Sequence, residues 1–189
     1  MINKLIKYSP YLSLLWLIVL MKSDTFIFFW QAAFYLLILI MFSRPLRDIF
    51  PKIKILRKIV SIRKELWIII WCFAFAHSIW YFVYSKAPFS IIINSNIWTI
   101  DSFMTWWFIA FFVAIPLTFT SNIFSMIKMW WKNWKRLQYL AYVMFIATIF
   151  HIALVKPNDA IFMYSILVLY IFILFYSAYI NKKKNYEKQ

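Results

Sequence analysis

The stretch WKRLQYLAYVMFIATIFHIALVK, residues 134–156, decides what kind of protein this chain makes. From Tyr139 onward it is almost wholly apolar, and basic residues bracket it: Lys135 and Arg136 before, Lys156 after. A hydrocarbon core of ~30 Å needs ~20 helical residues at 1.5 Å each. The stretch therefore reads as a lipid-spanning helix that carries one titratable ring, His151, near one end.

Working outward, the same reading gives six spans: Pro10 to Met21, Thr25 to Phe42, Leu66 to Tyr84, Phe103 to Thr120, Leu137 to Val155 and Ile161 to Tyr179. The first is short. Its basic start (Asn3-Lys4 and Lys7) also suits a signal peptide, but no small-residue cleavage pattern follows, so it is read as a helix. Segments 1–9, 43–65, 121–136 and 180–189 hold 18 of the 21 Lys and Arg; the remaining three are Lys22, Lys86 and Lys156. This bias places those four segments, and both termini, in the cytoplasm. The expected fold is all-α, a six-transmembrane-helix bundle forming a single domain over 1–189, with a fraying basic tail at 181–189.

The formal charge of +15 is then mostly a topology signal. Nucleic-acid binding needs a basic face with polar readout groups, whereas these charges flank apolar spans. With one cysteine, Cys72, placed mid-span, the chain has no disulfide framework and no thiolate metal site. It has no glycine, which excludes P-loops and dinucleotide fingerprints and leaves Ala, Ser and Thr to pack the helices closely. The six acidic residues all lie near span ends or in loops, so no span offers the central carboxylate that ion-coupled carriers use. Asp101 comes nearest, and it reads as an acid at a helix start.

The two histidines remain. His77 lies nine residues before Lys86 and His151 five before Lys156, ~13 and ~7.5 Å below the same membrane face. Two imidazoles at matched depth on different helices suit an iron porphyrin held edge-on, one ligand per face. Ala74, Ala76 and Ser78 around His77, and Ala147, Thr148 and Ala153 around His151, leave room for a flat macrocycle; Phe73, Trp80 and Tyr81 cover its apolar edge. The competing reading has each histidine hydrogen-bonding a neighbouring helix. Zinc or copper would need ligands beyond two nitrogens.

Further motifs carry a resemblance. Pro116-Leu117-Thr118-Phe119-Thr120-Ser121, Trp134 to Leu137, Tyr139-Leu140, His151 and Val155-Lys156 follow in order; Pro45-Leu46-Arg47 follows the second span, and His77 lies in FAFAHSIWYF. In these the chain resembles, over about residues 10 to 180, the heme-binding membrane subunit of bacterial methionine-sulfoxide reductase systems, the MsrQ/YedZ group of the ferric-reductase-like transmembrane superfamily. One position departs: Gln138 stands where that family has a histidine serving a heme near the cytoplasmic face. The resemblance implies one heme b, with axial ligands His77 and His151. It implies electron transfer in the bacterial inner membrane to a periplasmic molybdenum-containing reductase.

The electron donor is expected to be quinol or a cytoplasmic flavoprotein. Arg44, Arg47, Trp134, Lys135 and Arg136 are candidate contacts for heme propionates, a quinone headgroup or FMN phosphate; a plainer reading has these charges orient the chain and bind membrane lipid. The alternative from another class is a heme-free relative acting as a membrane scaffold or small permease. Gln138 and the absent glycines favour it.

Overall fold

Lipid offers no hydrogen bonds, so a chain this apolar must satisfy its backbone within each segment. In the computed structural model, which describes residues 23–84, 98–120, 123–129 and 131–186, every regular element is helical. The expected first span, Pro10 to Met21, lies outside the described residues. The elements are α1 (Ser23–Ile49), α2 (Lys54–Ser61), α3 (Arg63–Tyr84), α4 (Phe103–Thr120), α5 (Ile123–Lys128), α6 (Trp131–Leu137), α7 (Leu140–Val155), a 3-10 turn (Pro157–Asp159) and α8 (Ala160–Tyr186). Among the described residues five helical segments are long and apolar enough to cross a membrane: α1, α3, α4, the α6–α7 run and α8. That is the character of a multi-pass membrane protein.

The helices outrun their apolar stretches. α1 continues seven residues past Phe42 to Ile49 through SRPLRDI, with Pro45 inside it. The segment expected as a loop, 43–65, instead holds the end of α1, a short turn, α2 and the start of α3. In α2 basic and aliphatic residues separate onto opposite faces, the pattern of a helix lying in a membrane surface. None of its residues is buried, and Ile55 is exposed, as are Ile53 and Ile62 beside it.

The tail expected to fray from 181 is helical to Tyr186. Asn181 Nδ2 donates to Asp48 Oδ2 and Lys184 Nζ to Asp48 O, each at 3.3 Å, which ties the end of α8 to the end of α1. Asp48 also accepts from Arg47, Nη2 to Oδ1 at 2.6 Å. These bonds, with the chain order, put the ends of α1, α4 and α8 and the starts of α3 and α7 at one basic end of the bundle.

The bundle is two helix pairs. α4 lies along α7 in the most extensive contact, and α1 lies along α3 in the next; α8 packs on both α1 and α7. α3 and α4 touch far less, so the two pairs face each other across a gap. Small residues are buried at the packed seams, among them Ala76, Ala141, Ala147, Ala153, Ser43 and Ser177. Pro116 leaves α4 one amide short. Nearby, Thr118 and Thr120 turn their hydroxyls back onto the carbonyls of Ala114 (2.9 Å) and Pro116 (2.6 Å), which satisfies the hydroxyls within lipid.

Because Asp48 serves both α1 and α8 at an exposed helix end, Asp48→Ala is expected to lower hydrogen-exchange protection over residues 181–186 while moving global stability by no more than ~1 kcal/mol. An equal loss of protection along the whole of α8 would contradict this.

Candidate functional site

The gap between the helix pairs is a cavity of about 930 Å³, at the upper end of the ~300–1,000 Å³ typical of small-molecule sites. Each pair contributes one helical face. On α3 the face runs Trp67, Ile70, Trp71, Ala74, His77, Ser78 and Tyr81; on α7 it runs Met144, Thr148, His151, Ile152 and Val155. α4 supplies Phe103, Trp107, Ala110, Phe111, Ala114 and Thr118, and α1 supplies Trp30, Ala33, Phe34 and Leu37. His77 and His151 thus open onto one cavity from opposite helix pairs. Their rings are near enough to act on one another electrostatically.

His151 Nδ1 lies 2.9 Å from the carbonyl oxygen of Phe103. A carbonyl only accepts, so Nδ1 carries a proton and donates. In the neutral ring this selects the Nδ1–H tautomer, whose Nε2 can ligate, with a backbone carbonyl as the outer partner that metal-bound histidines usually have. The Phe103 ring sits 6.0 Å from the imidazole. Across the gap, Trp107 Nε1 donates to Ser78 Oγ at 3.2 Å, and Ser78 donates to the Ala74 carbonyl at 2.7 Å. Stacked rings run alongside: Trp71 on Phe75 at 5.0 Å, Phe75 on Phe111 at 6.2 Å, and Phe111 on Trp107 at 5.4 Å. At the far end from the basic residues, Lys156 places Nζ 4.5 Å above the Trp30 ring, and both line the cavity mouth.

Of the residues expected around the histidines, Ala74, Ser78, Trp80, Tyr81 and Thr148 line the cavity. Ala76, Ala147 and Ala153 do not; they are buried between helices. Phe73 turns to α1 and stacks on Phe29 at 5.7 Å. Neighbours in sequence are not all neighbours on a helix face: Ala76 beside His77 is buried in a seam, whereas Ala74 and Tyr81, three and four places away, open onto the cavity with it. Trp67 and Trp71, farther along α3, also line the cavity, and adjacency to His77 gives no sign of them.

The basic candidates stand apart from the cavity. Arg44 is exposed at the end of α1, Arg47 is engaged with Asp48, and Lys135 and Arg136 are exposed on α6. Trp134 Nε1 donates to the Thr120 carbonyl at 2.9 Å, closing the end of α4. Gln138 lies in the turn between α6 and α7, where its carbonyl accepts from the Ala141 amide at 3.2 Å and its Nε2 is buried without an acceptor.

An iron porphyrin fits these residues: two half-buried imidazoles on one cavity, one of them fixed with Nε2 available, and alanines from α1, α3 and α4 in the walls. Among the described residues no three His, Cys, Asp or Glu gather into a site for a bare metal ion.

Replacing His151 by Leu removes the imidazole bond to the Phe103 carbonyl, which keeps its intrahelical partner. We expect a loss of ~0.5–1.5 kcal/mol in unfolding measured in mixed micelles, with His151→Asn, which retains an N–H, recovering part of it. Equal stability of His151→Leu and the wild type would refute the bond.

Comparison of the chain with family models, curated proteins and solved structures returns no match.

Proposed function

We propose that the chain is the electron-transfer subunit of a membrane oxidoreductase system, with His77 and His151 as axial ligands of one heme b. The observation that carries this reading is the convergence of both histidines of the chain on one cavity from opposite helix pairs, one with its tautomer set by Phe103. Such a group, when bound, supplies a one-electron couple whose potential follows from its two imidazoles and its burial.

The chain's own residues do the rest. The Phe103 carbonyl holds the His151 proton on Nδ1 and makes Nε2 more basic. Ala33, Ala74, Ala110 and Ala114 keep the space between the pairs open. Trp30 and Lys156 meet at its far end and line it there. The basic end, read with the positive-inside bias, faces the cytoplasm, so the histidines lie in the outer half of the membrane. An acceptor outside a bacterial inner membrane follows; by the resemblance it is a periplasmic molybdenum-containing methionine-sulfoxide reductase.

The donor follows from Gln138. With no third histidine, the basic end offers no second ligand pair, and a cytoplasmic flavoprotein would have to reach across most of the bilayer. Quinol diffuses within the membrane and is the better-placed donor.

In protein purified in mild detergent, one heme b per chain with a low-spin, six-coordinate spectrum is expected, lost in both His77→Ala and His151→Ala. Ala74→Phe, which fills the cavity wall, is expected to lower heme content with the histidines intact. No heme after expression with ample heme would sink the reading and favour the heme-free scaffold. Two hemes would show a ligand other than histidine at the basic end. Reduction by a quinol analogue should outpace reduction by a reduced flavoprotein; equal rates would overturn the choice of donor.

A further inference from the structure

At the basic end a second polar site stands apart from the cavity histidines. Arg63 opens α3, and its Nε is buried with no hydrogen-bond partner. The end of α1 brings Arg44 and Arg47 alongside, because α1 and α3 pack along their lengths and only the short α2 segment joins them. Both arginines are within electrostatic reach of Arg63, as are Tyr142 of α7 and Tyr170 of α8. Tyr170 is held there by Phe42, 5.1 Å away on α1, and its ring lies 6.4 Å from that of Tyr142. Asp48 is bonded to Arg47, and among the described residues neither Arg44 nor Arg63 forms an ion pair.

Two further groups near this end are also donors in want of an acceptor. Trp67 Nε1, one turn along α3 from Arg63, is buried without one, as is Gln138 Nε2 at the start of the α7 run. Like charges gathered around a half-buried guanidinium repel, and a buried N–H left unbonded is costly. One ligand answers both: an anion with several acceptor oxygens. A quinone carbonyl accepts but carries no charge. A porphyrin held at His77 is too far away, since Arg63 to His77 spans ~21 Å of helix.

We infer that the basic end binds a phosphate-bearing anion between α1 and α3, with Arg63 as its buried anchor and Arg44 and Arg47 completing the grip. At the level of the helix ends the nearest source is the headgroup of an acidic phospholipid; a soluble phosphate would use the same donors. The site does not depend on heme and is read without it.

The test uses the full chain in nanodiscs of phosphatidylcholine, with or without phosphatidylglycerol, and follows retained phospholipid by native mass spectrometry and unfolding by heat. Wild type is expected to retain phosphatidylglycerol selectively and to melt higher in its presence. Arg63→Gln should weaken that retention more than ~10-fold, as expected for a charge-assisted bond in a buried site. Arg44→Gln should weaken it ~5-fold, the effect of one basic residue at an anionic surface. Because Arg44 is exposed, Arg44→Gln keeps the test open if Arg63→Gln does not fold.

Lys132, exposed on α6, is the control, and Lys132→Gln should leave retention unchanged. Inorganic phosphate added to phosphatidylcholine discs separates the sources. Stabilisation by phosphate that Arg63→Gln abolishes assigns the site to a soluble phosphate, and stabilisation by phosphatidylglycerol alone assigns it to lipid. Equal retention of the two lipids together with no effect of phosphate, or an effect of Lys132→Gln as large as that of the arginine variants, would overturn the inference.

Discussion

The hydrogen bond from His151 Nδ1 to the carbonyl of Phe103 joins two things that are otherwise separate, the packing of the bundle and the chemistry of the cavity. Phe103 is the first residue of α4, so its carbonyl belongs to the first turn; unlike the last carbonyls of a helix it has an intrahelical partner as well, and the imidazole takes its second lone pair. The bond locks the end of α7 against the start of α4. It also decides which imidazole nitrogen faces chemistry. A rotated ring would lose the bond and the orientation together, so the stability of the α4–α7 pair and the nitrogen that His151 turns to the cavity are one property.

The cavity follows from the way the two pairs are assembled. A void in a well-packed bundle forfeits dispersion contacts along its walls, and 930 Å³ is a large one for five described spans. The walls nonetheless do not collapse. Trp107 bonded to Ser78 and the stacked series Trp71, Phe75, Phe111 and Trp107 prop α3 and α4 apart along one side. On the other side α8 is wedged against both pairs, with Tyr170 between Phe42 and Phe145 at 5.1 and 4.9 Å. Rings hold the gap from its edges while its centre stays open.

Hydropathy made the helical spans legible because lipid thickness sets the length of an apolar run. It could not mark their ends, since the hydrogen-bond ladder continues wherever polar residues find partners. α1 runs on through Arg47 and Asp48, and α8 runs on because Asn181 and Lys184 reach Asp48. The face of α2 was equally present in KILRKIVS, but a rule that counts charge per loop averages it away. At the site, the histidines were legible as the rarest groups in the spans. Their surroundings were legible only in part: residues beside a histidine in sequence point elsewhere, as Ala76 and Ala153 do. Arg63 was hidden in plain view, one more basic residue in a basic segment, and only its buried, unbonded Nε separates it from Lys64.

The absence of glycine turns out to bear on the same geometry. A β-carbon at every position keeps helix backbones further apart than glycine seams would. The chain closes most of that extra distance with rings, among them Trp106 on Phe150 at 4.6 Å between α4 and α7. On three of the four faces that meet at the centre, those of α1, α3 and α4, it places alanine instead, at 33, 74, 110 and 114. Had those positions carried Phe or Leu, the spacing set by the rest of the bundle would have been filled and the histidines sealed into the core. Small residues at wide spacing make a chamber, whereas small residues at close spacing make a seam. The composition that excluded nucleotide-binding loops is therefore also what allows a bundle this small to stay open around His77 and His151.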